Sequence, residues 1–81
     1  MSFAEKLRMY RKSRNMTQTD LAERVGLTSR HLSDIENEAD PPPKIGSIVQ
    51  IIRELDLTRE EAIDLLVEVG IPFELFDAPS G

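Results

Sequence analysis

Apolar positions recur along this chain at intervals of three and four, and no useful stretch alternates by two. Such a period predicts helix throughout and no sheet. Phe3, Leu7 and Tyr10 form the first apolar face. Ser2 and Glu5 have capping-box spacing, so a first helix is expected from Ser2 to near Arg14-Asn15. Thr17 with Asp20 opens a second helix with Leu21, Ala22 and Val25 inward, stopping at Gly26. Thr28 caps a third, with Leu32 and Ile35 inward. Asp40-Pro41-Pro42-Pro43 cannot lie inside a helix, because proline lacks the amide proton and excludes the residue before it from helical geometry. It reads as a short loop between two helical halves of one domain. Beyond it, Ile45, Ile48, Val49, Ile52 and Leu55 form a stripe. Thr58 with Glu61 starts the last helix, which lines up Ala62, Leu65, Leu66 and Val69 and ends at Gly70 and Pro72.

The chain has 81 residues, enough for one small domain with a modest core. With no cysteine there is no disulfide, thiolate zinc site or cysteine nucleophile, and one histidine makes no multi-histidine metal site. A content of 40% hydrophobic and 31% charged residues fits a soluble globular domain. No apolar run approaches the length of a membrane span. The opening Met-Ser-Phe-Ala-Glu-Lys lacks the apolar core of a secretory signal, so the cytoplasm is the expected compartment. Glu60-Glu61 reads as a cap and dipole partner at a helix start. No glycine-rich phosphate loop, Ser/His/Asp set or metal-ligand spacing occurs, so no enzyme activity, catalytic residue, cofactor or metal is expected.

Charge is unevenly placed. Residues 1–35 hold seven basic and four acidic groups, a net +3, whereas residues 36–81 hold three and eleven, a net −8. The pattern suits a basic binding half and an acidic solubilising half, or is ordinary surface charge placed unevenly.

The informative stretch is Gln18 to Asn37: two short helices joined by Val25-Gly26-Leu27-Thr28, the arrangement of a helix-turn-helix. Ala22 is small, which suits a close helix crossing, and Gly26 can take the positive φ of the turn. Wound at about 100° per residue, the third helix buries Leu32 and Ile35 and turns Ser29, Arg30, Ser33, Asp34 and Asn37 outward. That face suits the DNA major groove, which admits one α-helix. Arg30 has the two donors for guanine O6 and N7. Ser29 and Ser33 are short, adaptable contacts. Asp34 can accept from a cytosine amino group, exclude wrong sites by repulsion, or pair with Arg30 at i, i+4. Asn37 can bond adenine or a phosphate. Thr17 and Thr28 are first of all caps, with phosphate contact secondary. His31 falls near the flank of the buried side and reads as a packing or boundary residue.

The run Met16-Thr17-Gln18-Thr19-Asp20-Leu21-Ala22-Glu23-Arg24-Val25-Gly26-Leu27-Thr28, followed by Leu32-Ser33-Asp34-Ile35-Glu36-Asn37, resembles the Cro/CI (lambda-repressor-like, XRE) helix-turn-helix repressors. Pro43, Ile45, Ile48 and Leu55-Asp56-Leu57-Thr58 resemble that family's fourth helix and its link to the fifth. The resemblance covers roughly residues 3–67. It implies an all-α, compact five-helix domain with its helix-turn-helix at helices two and three (residues 18–37), usually a dimer on operator DNA. Residues 1–70 would form the DNA-binding domain. Residues 71–81, with Phe73, Leu75 and Phe76, would form a tail packed on the core or at a dimer interface. The resemblance also gives Gln18 a contact to the DNA backbone, favours phosphate for Asn37, and pairs Arg11 of helix one with Glu36.

Two departures stand out. The family commonly has glycine and then basic residues after the recognition helix, where this chain has Glu38, Ala39, Asp40 and three prolines, with Lys44 the first cation. Either that loop turns away and Arg11, Arg14, Gln18 and Lys44 carry the backbone contacts, or the fold serves another task. The family also often has a small residue where Ile52 stands. The leading expectation is a sequence-specific double-stranded DNA-binding transcriptional regulator: a repressor acting as a homodimer on a two-half-site operator. The alternative is a protein-interaction module on the same fold, an antitoxin or antirepressor subunit using its acidic C-terminal half.

Overall fold

The structure, a computed structural model, describes residues 1–70. Five helices follow in order: α1 Phe3–Ser13, α2 Gln18–Val25, α3 Ser29–Glu36, α4 Ile45–Glu54 and α5 Arg59–Val67. Among the described residues there is no strand. The expectations placed on Pro72, Phe73, Leu75, Phe76 and the tail 71–81 lie outside the described residues.

Local chemistry sets the helix starts. Ser2 and Thr58 form complete capping boxes with Glu5 and Glu61. At Thr17 only the hydroxyl half forms, receiving the Asp20 N–H at 3.0 Å. Aspartate is one methylene shorter than the glutamate of the other two boxes and does not close the return bond. Each of the five helices is followed by a left-handed residue, at Asn15, Gly26, Glu38, Asp56 and Gly70. Asn15 after α1 has φ +55, and Gly26 after α2 has φ +73, a conformation glycine adopts without a Cβ penalty.

The core is one cluster that draws on all five helices and is centred on Leu7, Leu21, Leu32, Ile35, Ile48, Ile51, Leu55, Leu65 and Leu66. α2 packs on α3 and α4, while α1 packs on α3 and α5. The stripe expected on α4 is rotated. Ile48, Ile51, Ile52 and Leu55 are buried, Val49 is half-buried and Ile45 is 47% exposed. Ile45 is the first helical residue, at the exposed start of α4, and Ile51 lies about one turn after Ile48 on the same buried side. Ile52, large where the family often has a small residue, fits inside the core. Among the described residues, no helix is long and apolar enough to cross a membrane.

Polar bonds clamp α1 to α5. Lys6 Nζ donates to Asp64 Oδ1 at 2.7 Å and to Glu68 Oε2 at 2.9 Å, and the Tyr10 hydroxyl donates to Asp64 Oδ2 at 2.7 Å. Lys6 and then Tyr10 hold the Asp64 carboxyl below its ordinary range. The stability this adds is present above the unfolded carboxylate pKa and is lost as pH falls through the folded one. Tyr10 moves the other way: burial and then the Asp64 carboxylate push it up to about 12. An unfolded tyrosine ionises near 10, so Tyr10 adds stability that is complete below that pH and disappears as pH rises through about 12. The chain holds one tyrosine and no tryptophan, so phenolate absorbance reports Tyr10 alone. The native titration midpoint will lie well above that in urea, and equal midpoints would contradict the clamp.

Candidate nucleic-acid interface

The turn Gly26-Leu27-Thr28 sets α3 across α2. The Leu27 N–H returns to the Ala22 carbonyl at 2.9 Å, and Thr28 Oγ1 accepts the His31 N–H at 3.0 Å. Leu32 and Ile35 are fully buried beneath α3. On its outer side Ser29, Arg30 and Asn37 are exposed, while Ser33 and Asp34 are half-buried. The Arg30 side chain is 93% exposed, with Nε 4.0 Å from Asp34 Oδ2, a loose i, i+4 contact. Solvent screening leaves such a pair worth well under ~1 kcal/mol, so a base can displace it. His31 is exposed rather than packed, with Nε2 3.9 Å from Asp40 Oδ2 at the edge of the proline loop.

Behind the strip lies a hub around Glu36, which is 2% exposed. Arg11 Nε donates to Glu36 Oε2 at 2.7 Å, and Arg11 Nη2 to Oε1 at 2.9 Å. Arg11 Nη1 also donates to the Met16 carbonyl at 2.8 Å. Gln18 Nε2 donates to Glu36 Oε1 at 3.0 Å, so one amide N–H of Gln18 is engaged inward and a second is left to donate. Thr17 and Thr28 spend their oxygens on helix caps. Lys44 is exposed and is the N-cap residue of α4, at the far end of the proline loop.

Two of the cations expected at phosphates are placed elsewhere. Arg11 is only 7% exposed and encloses Glu36. Arg14 turns away to α5, donating to the Leu55 carbonyl at 2.9 Å and to Glu61 Oε1 at 2.7 Å. Arg8, absent from the sequence reading, comes to the interface instead. Its Nη2 donates to the Glu36 carbonyl at 2.9 Å and to Asn37 Oδ1 at 3.1 Å. Its position three residues before Arg11, on the same face of α1, was the available signal.

The acidic loop folds back on the end of α3. The amides of Ala39 and Asp40 both donate to the Asp34 carbonyl, at 2.8 and 3.1 Å. Glu38 takes φ +62, the left-handed conformation that glycine would adopt freely. The backbone thus keeps the shape of a glycine turn while the side chain is a carboxylate. Glu38→Gly is expected to stabilise the domain by about 1 kcal/mol through relief of the left-handed strain. A thermal melt checks this, and an unchanged or lower melting temperature would contradict it.

The sequence model of a family described as helix-turn-helix matches residues 7–61, most of the chain and all of this interface. The chain belongs to the helix-turn-helix family. A curated relative is 42% identical over 53 residues: an uncharacterized HTH-type transcriptional regulator, y4dL, of Sinorhizobium fredii. The match takes in 65% of this chain and 26% of that protein, so this helix-turn-helix chain spans about a quarter of its relative's length. No solved structure matches it. Membership makes the five helices of the described residues the architecture of a helix-turn-helix DNA-binding regulator family.

Proposed function

We propose that this helix-turn-helix protein is a sequence-specific double-stranded DNA-binding regulator. It acts as a repressor, as a homodimer on two half-sites, with α3 in the major groove. The observation that carries the reading is the strip Ser29, Arg30 and Asn37, open to solvent on a helix anchored by Leu32 and Ile35. Thr17, Gln18, Thr28 and Lys44 flank the strip and hold phosphates, Ser33 is an adaptable short contact, Asp34 adjusts the base contacts, and the protein works in the cytoplasm. Selection from random duplexes tests it. The expected result is an enriched consensus of two half-sites about one helical turn, ~34 Å, apart. No enrichment even at low salt would defeat it. Arg30→Ala is expected to weaken binding by about 1–3 kcal/mol and relax preference at one base, with no change in melting temperature. A second reading, a protein-interaction module, draws on Glu38 and Asp40, which set carboxylates beside α3 where cations would serve phosphates better. A purified protein with no duplex preference but a stoichiometric protein partner would favour it.

A further inference from the structure

We propose that Arg8 is a positioning residue for DNA recognition: it fixes the Asn37 side-chain amide so that donors, not acceptors, face outward from the end of α3. This rests on the DNA-binding reading. An amide has an acceptor edge and a donor edge, and either can face a neighbour. A guanidinium carries only donors, so Arg8 Nη2, at 3.1 Å, can be met only by Oδ1. The same nitrogen donates at 2.9 Å to the Glu36 carbonyl, which no further helical turn would satisfy. Arg8 is therefore held at the helix end while it orients Asn37. The donor edge is left on the other side, where Nδ2 gives one N–H to Ser33 Oγ at 3.3 Å. Its second N–H remains uncommitted on an exposed residue. Ser33 Oγ, having accepted that bond, is left with its own O–H to donate. The end of the strip thus offers two donors to an acceptor-rich surface, which matches phosphate oxygens. Arg8 itself spends its charge inward: two guanidinium groups share the single Glu36 carboxylate, with Arg8 Nε 3.8 Å from Oε1.

A double-mutant cycle with the selected duplex tests the assignment. Asn37→Ala is expected to weaken binding about 10-fold or more, the loss of a hydrogen bond to a charged oxygen. Arg8→Met is expected to weaken binding about as much in the wild-type background and less than about twofold when Asn37 is already alanine. The salt dependence of Arg8→Met should stay within half a unit of wild type, whereas loss of a direct phosphate contact lowers that slope by about one. Asn37→Asp is the stability control. A carboxylate still accepts from Arg8 and keeps the melting temperature, but it lacks the outward N–H and binds at least ~10-fold more weakly. Additive losses in the cycle, a slope lowered by one, or wild-type affinity in Asn37→Asp would each overturn the assignment. If wild type enriches no duplex, the DNA-binding reading fails first and this inference falls with it, a result distinct from additive losses in a protein that binds.

Discussion

Arg11→Ala will lower the melting temperature by at least roughly 12 °C and weaken DNA binding with it. The substitution strips two short charge-assisted bonds, at 2.7 and 2.9 Å, from a carboxylate that is 2% exposed. Removing one partner of a buried pair costs about 3–5 kcal/mol, because the other charge stays behind without water. Each kcal/mol moves the melting temperature of a domain this small by about 4–8 °C. Gln18 keeps its bond to Glu36, and Arg8 starts only 3.8 Å away, so the lower end of that range is the one to expect. The wider loss follows from position. Arg11 also holds the Met16 carbonyl, so a single side chain ties α1 to the approach to α2 and to the end of α3. Replacing both members with methionine should recover much of the stability, since a buried ion pair mainly fixes geometry and a packed apolar pair is often as stable. Thermal melts and a duplex titration check this, and Arg11→Ala with wild-type melting temperature and affinity would remove the hub from the account.

Leu32→Ala is the second large effect. Leu32 is fully buried on the inner side of α3, where it shares the cluster with Leu21, Ala22 and Ile35. A Leu→Ala change at such a site costs about 2–5 kcal/mol, the transfer energy of the lost carbons plus the cavity left behind. A small domain has about 5–15 kcal/mol in all, so this is a large share. The urea midpoint should fall while the slope of the transition stays the same. A shift under about 1 kcal/mol would mean that α3 is not seated as described, since conservative or surface changes cost that little. Binding at low temperature, where the variant is still folded, should drop less than in Arg30→Ala. Leu32 holds the helix in place and Arg30 is the side chain that reaches out from it.

The turn chemistry made most of this fold legible. Ser2, Thr17, Thr28 and Thr58 each start a helix as their spacing predicts, and Gly26 turns where a positive φ is needed. These signals act within four residues, so sequence alone carries them. What was misread depends on partners far along the chain. In α4 six of ten residues are apolar or glycine, so several stripes fit, and only the seating of α4 on the other helices selects Ile51 over Ile45. Arg8, Arg11 and Arg14 are alike as cations along α1 and its cap, and only the family resemblance singles out Arg11, as the partner of Glu36. The structure sends the first to the end of α3, buries the second on Glu36 and gives the third to Glu61 on α5. The backbone under Glu38 could not be inferred from its side chain, because nothing about a glutamate announces a left-handed turn.

The most direct test is to follow the backbone and arginine side-chain N–H signals of the full chain by NMR as the selected duplex is added. The account predicts that the largest shifts fall on Ser29, Arg30, Ser33 and Asn37, with smaller ones at Thr17, Gln18 and Lys44. Shifts confined to α4 and α5, with α3 unmoved, would contradict it.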